Sequence, residues 1–240
     1  LNHHNGRELV NSNRMLKKLN EELDRFVYST SHDLRAPLSS VAGLINLAKD
    51  NENPQEVKRY LGMMENRVNT LNKFIKDITD YSRNNRLEIT RERIRVHELA
   101  NEIWEALKYT PEAQMITFKN EIPEDLIIQS DTRRIHVILS NLISNAIRYH
   151  DLRKEYPYIR LQHYAVNTSH SFSVEDNGQG ISPEIQKRVF DMFYRGNESS
   201  QGSGLGLYIV KETISKLAGS IHLNSHPRKG STFTFTVPVQ

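Results

Sequence analysis

The sequence contains no cysteine among its 240 residues, which excludes disulfide bonds and thiolate chemistry. It also has no run of about 18 apolar residues, so it predicts no membrane-spanning helix. The first residue is Leu1 rather than methionine and no signal peptide follows it, so we expect a segment of a longer protein. These absences predict a cytoplasmic location for this segment and leave open a membrane anchor elsewhere in the longer protein.

An excess of charge of one sign is also absent. The chain has 32 basic and 29 acidic residues, interspersed, for a net charge of +3 with neutral histidines. This balance gives no reason to expect nucleic acid as a partner. With 37% hydrophobic and 25% charged residues, the composition is that of a folded chain long enough for one large domain or two smaller ones.

Two heptad patterns occupy the first third of the chain and predict two long amphipathic helices. The first pattern consists of Leu9, Leu16, Leu19, Leu23 and Phe26. The second pattern, which is unbroken, consists of Leu61, Met64, Val68, Leu71, Ile75 and Ile78. The polar segment 49–55 between them, KDNENPQ, contains Pro54 and predicts a turn. The two helices and this turn together are predicted to form a helical hairpin.

A single hairpin cannot bury both apolar seams. Two hairpins related by symmetry would form a four-helix bundle, so the sequence predicts a homodimer. The alternative is a seam packed against the rest of the same chain. The regularity of the second pattern favours the dimer.

After about residue 86 the pattern changes to mixed strands and helices, which predicts two domains, 1–86 and 87–240. The predicted strands are 93–96, 115–120, 126–129, 158–166, 170–176 and 232–237, and the predicted helices are 97–110, 131–149 and 204–218. A C-terminal hairpin turns at SHPRKGS, 225–231. The fold class is α+β: a helical hairpin followed by an α/β sandwich, with helices on one face of a sheet.

Three stretches of the second domain place polar groups or glycines where a ligand could bind. On the helix at 131–149, Asn141, Asn145 and Arg148 share one face, opposite the apolar residues. Amide oxygens suit a hard cation and a guanidinium suits phosphate. A solvated polar face is the alternative explanation.

The second and third stretches are glycine-rich. In VEDNGQGI, Asp176 ends a predicted strand, and Gly178 and Gly180 allow close backbone approach; an ordinary Asn-Gly turn is the alternative. In GSGLGL, Gly202 to Gly206 precede a helix whose N–H groups favour phosphate. The spacing differs from the dinucleotide fingerprint, and no Walker lysine follows.

The order of four motifs decides between these alternatives. NLISNAIRY, DNGQGI, FDMFYRG and GSGLGL, in that order within about 70 residues, resemble the N, G1, F and G2 boxes of sensor histidine kinases. That family shares its ATP-binding fold with DNA gyrase and related ATPases. With the N-terminal hairpin included, the resemblance extends over essentially the whole chain.

The resemblance implies ATP and Mg²⁺ as cofactors and assigns residues to them. Asn145 would ligate the magnesium, with Asn141 supporting it; Arg148 would contact phosphate, Tyr149 would border the nucleotide and Asp176 would bind the adenine amine. Residues 182–203 would form a short lid over ATP. The remaining implied nucleotide-site residues are Gly178, Gly180, Phe190, Phe193, Gly202, Gly204, Gly206 and Leu207.

Asn141 bears on the type of reaction. By the same resemblance, the related ATPases carry at this position a glutamate that activates water, one helical turn before the magnesium-binding asparagine. An amide is a poor general base. The resemblance therefore implies that bound ATP is protected from hydrolysis and kept for another acceptor.

The stretch STSHDLRAPL, 29–38, resembles the phosphoacceptor box of the same family. His32 would be the nucleophile and Asp33 the base that takes up its proton. Helical neighbours lie about 100° apart and do not face each other naturally, so Asp33 must reach back. Pro37 removes the helix hydrogen bond to the carbonyl of Asp33, which predicts a local distortion there. A polar histidine on a helix surface is the alternative.

The resemblance implies a two-component kinase that phosphorylates His32 and passes the group to an aspartate of a response-regulator receiver domain. The heptads before Phe26 indicate a coiled coil that carries a signal from an upstream sensor domain. Ala36 stands where many relatives have a threonine or asparagine that positions water, which predicts weak or absent phosphatase activity. The alternatives are a gyrase-type ATPase and a degenerate kinase acting as a dimeric adaptor.

Overall fold

The computed structural model describes residues 2–151, 153–196 and 202–239, with side chains from Val10 onward. The side chain of Leu9 and part of the predicted lid therefore lie outside the described residues. The chain divides into two compact units, Leu1–Lys76 and Asp77–Gln240. Within the described ranges, no helix combines the length and apolarity that crossing a bilayer requires.

The two heptad patterns lie in two long helices, α1 (Asn2–Lys49) and α2 (Pro54–Arg86), as predicted. The turn between them is built by asparagine side chains: the N–H of Asn53 donates to Asn51 Oδ1 at 2.8 Å, and the N–H of Gln55 donates to Asn53 Oδ1 at 3.0 Å. Pro54 follows as the first helical residue, where its missing N–H costs no hydrogen bond. These local bonds explain where α1 ends and α2 begins.

The predicted seams are largely exposed on the single chain. In α1, Leu16, Leu19 and Leu23 are each more than half exposed, and in α2 Leu61 and Ile75 are as well. Contiguous exposed apolar side chains on a helix indicate a surface that another protein covers. The homodimer stays a prediction, and this exposure is what supports it.

The second unit contains the mixed strands and helices. Its strands are β1 (Glu92–Arg95), β2 (Thr117–Asn120), β3 (Ile127–Ser130), β4 (Tyr158–Val166), β5 (Ser169–Asp176), β6 (Ile221–His226) and β7 (Gly230–Pro238). Its helices are α3 (Val96–Leu107), α4 (Thr132–Arg148), the short α5 (Pro183–Gln186) and α6 (Gly206–Lys216), with one 3₁₀ turn at Ala113–Met115. All the strands and helices predicted for this part of the chain are present, with ends shifted by a few residues.

Five strands form one sheet in the order β2-β4-β5-β7-β6. Only the β2–β4 pair is parallel, and the predicted C-terminal hairpin is the antiparallel β6–β7 pair. Helices α3, α4 and α6 cover one face of this sheet, where Leu139 and Leu142 of α4 meet Leu161 and Phe172 in a continuous apolar core. This is the predicted α/β sandwich.

The sheet arrangement differs from the prediction in one respect. The strands β1 and β3 do not join the main sheet but pair with each other, antiparallel, with Ile94 opposite Ile128. Both isoleucines are almost fully buried, at 3% and 1% exposure. Strands of four residues are stabilised by the core they cover, and their sequences carry no signal for which partner they take.

A buried ion pair joins the end of α2 to the start of α4. Asp131 caps α4 by accepting from the N–H of Arg134 at 3.0 Å, and its other carboxylate oxygen accepts from the Arg134 guanidinium and from the N–H of Thr90. The same guanidinium donates to the backbone carbonyls of Asn84 and Leu87. Carbonyls at a helix C-terminus have no partner within the helix, so Arg134 supplies the missing donors.

Asp131 is held ionised in this environment. Burial acts to raise the pKa of its carboxyl, but the N–H groups of Arg134 and Thr90 and the Arg134 guanidinium together outweigh it and lower the pKa below its ordinary value. Both side chains are almost fully inaccessible. The charges of Asp131 and Arg134 therefore neutralise each other, and both charged groups are hydrogen-bonded.

Arg134→Ala should destabilise the second unit by about 3–5 kcal/mol, because it leaves a buried carboxylate without its cation. Urea unfolding followed by circular dichroism measures the change. Arg133→Ala is the matched control, since Arg133 is exposed on the same turn of α4, and we expect it to change stability by less than about 0.5 kcal/mol. Equal stability of the two variants would contradict this account of the ion pair.

Candidate functional site

The polar face of α4 lies against the glycine-rich loop that precedes α6. A Cβ atom added to Gly206 would lie 2.9 Å from Asn141 Oδ1, and one added to Gly202 would lie 2.8 Å from a guanidinium nitrogen of Arg148. Asn141 Nδ2 donates to the Val137 carbonyl at 2.9 Å, which fixes the amide. The face is therefore not simply solvated: its amide oxygen and its cation are directed at the loop.

Asn145 occupies the turn of α4 between Asn141 and Arg148. It is half-buried, and its neighbours Ala146 and Ile147 are buried in the core. The spacing of four residues places its amide on the same face as that of Asn141. Two amide groups and one guanidinium thus share one face of α4.

The loop itself adopts a conformation that requires glycine. Gly204 has φ +69°, and a Cβ there would lie 2.7 Å from the carbonyl carbon of Phe193. Phe193 has φ +60°, which is unusual for a bulky residue. This close approach brings the start of α6 against the segment that carries Phe193, one of the two phenylalanines predicted for the lid.

The two phenylalanines of the predicted lid differ in environment. Phe190 packs edge-on against Phe233 of the sheet, with ring centroids 6.2 Å apart, at the margin of the apolar core. Leu207, at the start of α6, also packs partly buried against this core. The side-chain roles predicted for these residues toward a nucleotide stay predictions.

A second cluster forms at the end of β5. The Gly178 N–H donates to Asp176 Oδ1 at 2.8 Å, and the Gln179 N–H donates to the carbonyl of Tyr149 at 3.0 Å. A Cβ on Gly178 would lie 2.4 Å from that same carbonyl, and one on Gly180, where φ is +71°, would lie 1.9 Å from the His226 carbonyl. Gly178 therefore allows the turn to pack directly against the C-terminus of α4, which places Asp176 near Tyr149, and Gly180 allows the turn to pack against the end of β6.

Asp176 has a perturbed acidity. Burial raises the pKa of its carboxyl to about 6, although the N–H groups of Gly178 and Ser231 and the charge of Lys154 act in the opposite direction. A buried carboxylate with remaining acceptor capacity is suited to a ligand that donates hydrogen bonds, such as an amine. The role predicted for Asp176 toward a nucleotide stays a prediction, and its buried carboxyl is what supports it.

Sequence reasoning missed residues that hold these segments together. Asn177 accepts from the N–H of Tyr158 at 2.8 Å and donates to the carbonyl of Tyr156 at 2.8 Å, so it fastens the start of β4 to the turn. The sequence showed Asn177 only as half of an Asn-Gly pair. Ser203 was also missed; its Oγ donates to Asp77 at 2.6 Å across 126 positions of sequence.

In the first unit, His32 and Asp33 are hydrogen-bonded to each other. His32 Nδ1 lies 3.2 Å from Asp33 Oδ1, and the histidine side chain is 70% exposed while the aspartate side chain is 18% exposed. The predicted reach of Asp33 toward its neighbour is therefore present, and α1 continues as a helix through Pro37. With the proton on Nδ1, the lone pair of Nε2 is available to an electrophile.

Two family models match this chain. The model described as the histidine kinase-, DNA gyrase B- and HSP90-like ATPase matches residues 130–240. The model described as the His Kinase A (phospho-acceptor) domain matches residues 22–86. The first contains the α4 face, Asp176 and the glycine loop, and the second contains His32 and Asp33.

Individual proteins agree with the family models. The methanogenesis regulatory histidine kinase FilI of Methanothrix harundinacea is 30% identical over 223 residues, which are 91% of this chain and 25% of FilI. The sensor histidine kinase WalK of Bacillus subtilis is 29% identical over 92% of this chain and 38% of WalK. The chain therefore spans well under half the length of these relatives.

Solved structures share the fold. Histidine kinase ThkA in complex with response regulator protein TrrA superposes with a TM-score of 0.74 at 24% identity, over 93% of this chain and 64% of that one. At this level of identity the similarity shows the fold alone.

We expect Asp176 to titrate near pH 6 in the folded protein, because burial disfavours its charged form. Carboxyl ¹³C chemical shifts recorded against pH measure it. Asp151 is an internal contrast: hydrogen bonds from Arg153 lower its pKa to about 2. Because the fold raises the pKa of Asp176, this carboxyl stabilises the fold most below about pH 4, and the contribution is lost as pH rises through 6. A midpoint near 4 for Asp176 would contradict the buried environment described above.

Proposed function

The chain belongs to the sensor histidine kinase family, and on that premise we propose that it is an ATP-dependent protein-histidine kinase core. It phosphorylates itself on His32 and passes the phosphoryl group to an aspartate of a response-regulator receiver domain. The observation that carries the proposal is the hydrogen bond between His32 Nδ1 and Asp33, which leaves an exposed Nε2 as nucleophile. The similarity to proteins named as sensor histidine kinases, FilI and WalK, also supports the proposal.

Two groups of residues in the second unit support ATP as the proposed ligand. Asp176 would accept a hydrogen bond from the exocyclic amine of adenine, with Tyr149 bordering the base. Arg148 would pair with phosphate, and the absence of a side chain at Gly202 allows its guanidinium to lie against the loop, where a Cβ would come within 2.8 Å of it.

Magnesium also fits the residues present. Asn145 would ligate it through its amide oxygen, with Asn141 alongside, since oxygen donors are what this cation prefers. When bound, the metal neutralises phosphate charge and so assists transfer.

The proposed transfer step uses two residues of the chain, His32 and Asp33. Nε2 of His32 attacks the γ-phosphorus, a nitrogen–phosphorus bond forms, and the bond between the γ-phosphorus and the β–γ bridging oxygen breaks to release ADP. As the bond forms, the Nδ1 proton passes to the carboxylate of Asp33, so the phosphorylated ring is left neutral. Phosphoryl transfer needs little covalent help, so orientation of this ring is the main contribution of α1.

Asn141 separates this chain from enzymes that hydrolyse ATP. Its Nδ2 is bound to the Val137 carbonyl, and an amide cannot take a proton from water at neutral pH. Water at the γ-phosphate would therefore find no general base at this position. The γ-phosphoryl group of ATP therefore stays available for transfer to His32.

The proposed active form is a homodimer. The exposed apolar seams of α1 and α2 supply its interface, and the phospho-acceptor model, which matches α2 and the part of α1 from residue 22 onward, supports it. Because the chain spans only part of its relatives, we propose that a sensor domain elsewhere in the full protein supplies the input through α1.

Incubation with γ-³²P-labelled ATP and magnesium should label the wild-type chain with a bond that is labile in acid and stable in alkali. His32→Gln should abolish the label, because the amide offers no nucleophilic nitrogen. His222→Gln is the matched control, since His222 is exposed on β6, and it should label normally.

Two results would overturn the proposal. Sustained release of inorganic phosphate without labelled protein would favour a gyrase-type ATPase. Absence of both label and nucleotide binding would favour a dimeric adaptor.

We also expect little phosphatase activity, because Ala36 has no polar side-chain atom to position water four residues after His32. The measurement is the half-life of the phosphorylated cognate regulator with the kinase and ADP, against the regulator alone. Ala36→Thr, which supplies a hydroxyl at this position, should shorten that half-life. Rapid dephosphorylation by the wild type would show the prediction to be wrong.

A further inference from the structure

A small cavity lies in the second unit, at the end of the sheet away from the proposed ATP site. Its volume is about 60 Å³, and Leu217 and Val237 are apolar residues of its wall. The strand β7 runs from Gly230, beside Asp176, to Pro238 in the cavity wall, and a strand of this length spans roughly 25 Å. The cavity is therefore separate from the nucleotide residues, and none of the four nucleotide motifs contributes to its wall.

A buried serine lines this cavity without a hydrogen-bond partner for its side chain. Ser130, the last residue of β3, is only 7% exposed. Its hydroxyl has no partner among residues 2–151, 153–196 and 202–239, and the oxygen is not fully enclosed. Buried hydroxyl groups nearly always have a hydrogen-bond partner. The Ser130 hydroxyl is therefore a donor that a group bound in the cavity can use.

Two cationic residues share the wall of the same cavity. Arg91, just before β1, and Lys216, at the end of α6, both line it, and both are exposed. Neither has an ion pair within the part of the chain that the structure describes. Two like charges at one cavity repel each other, and a bound anion would relieve that repulsion. Lys216 is favourable by itself in the last turn of α6, because cations stabilise helix C-termini, but this effect does not account for Arg91 or Ser130.

The acidic side chains that are near this cavity in sequence already have other partners. Asp131 pairs with Arg134 in the buried ion pair described above. Glu92 of β1 accepts a hydrogen bond of 2.8 Å from the hydroxyl of Thr132. Neither carboxylate belongs to the cavity wall. An anion that enters would therefore meet two cations and one hydroxyl donor, with no carboxylate among the described residues of the wall.

We propose that this cavity is a binding site for a carboxylate group carried on a short apolar stem. The planar guanidinium of Arg91 matches a carboxylate, Ser130 supplies a further donor, and Leu217, Val237 and Ile89 suit the stem. One water needs about 10–15 Å³, so the cavity admits a small group but not a large molecule. A free short-chain acid and an acidic side chain of another protein both have this chemistry. The site is independent of the proposed kinase activity.

The test is a titration of the ¹⁵N-labelled chain with sodium propionate, followed by the NMR shifts of its amides. We expect saturable shifts at residues 129–130 and 216–218, with a dissociation constant on the order of 1–10 mM, which is within the affinity that so few atoms allow. Propionamide has nearly the same shape without the charge, and it should bind at least about 10-fold more weakly. Sodium chloride added to the propionamide samples keeps the ionic strength equal.

Variants of the cavity wall identify the groups that bind. Ser130→Ala should weaken propionate binding about 5-fold, because one hydrogen-bond donor is lost. Arg91→Gln combined with Lys216→Gln should weaken it at least about 10-fold and remove most of its dependence on salt. Both cations are exposed, so this double variant decides the matter if Ser130→Ala does not fold. Lys211→Gln removes an exposed cation of α6 outside the cavity wall and should bind propionate as the wild type does.

A second probe, a blocked peptide with one glutamate, distinguishes the two sources of the carboxylate. Binding of propionate supports a free acid, and binding of the peptide alone, at the same amides, supports an acidic side chain of another protein. The absence of saturable shifts with both probes would overturn the proposal. Equal shifts with propionate and propionamide, or shifts that persist in the double variant, would do the same. Tighter binding of inorganic phosphate at these amides would show that carboxylate is the wrong class of anion.

Discussion

The buried guanidinium of Arg134 is the interaction on which the layout of the second unit depends. It neutralises Asp131 at the start of α4 and donates to carbonyls that the end of α2 leaves without partners. One side chain therefore fixes where α2 stops and where α4 starts. Without such donors these groups would be buried and unsatisfied, which is costly in a protein interior. Because Arg134 holds the last turns of α2 in place, it also positions Asp77 for its contact with the glycine loop.

The candidate site uses the two faces of α4 for different purposes. The apolar face, with Ile135, Leu139 and Leu142 buried, packs α4 against the sheet. The opposite face then directs Asn141 and Arg148 at the glycine loop. Chemistry at such a site depends on orientation and charge more than on covalent participation. On the proposed function, ATP would be held by rigid elements on the core side and by glycine backbone on the other.

The sequence predicted the features that periodicity or a short motif encodes. The heptads of α1 and α2, the polar face of α4 and the β6–β7 hairpin are all local patterns, and each is present. The β1–β3 pair was not predictable, since four-residue strands contain no signal for their partner. Arg134 and Asp77 were missed because their partners are tens to more than a hundred residues away in sequence. A polar residue within a helix indicates solvent exposure until the tertiary contacts that bury it are known.

On the proposed function, this chain transfers the γ-phosphoryl group of ATP to His32 rather than to water. ³¹P NMR of the chain incubated with ATP and magnesium tests it directly, because phosphohistidine, inorganic phosphate and nucleotide give separate resonances. The account predicts a phosphohistidine signal of the Nε2 type that grows with ADP, with little inorganic phosphate. Inorganic phosphate accumulating in step with ADP, without any phosphohistidine signal, would contradict it.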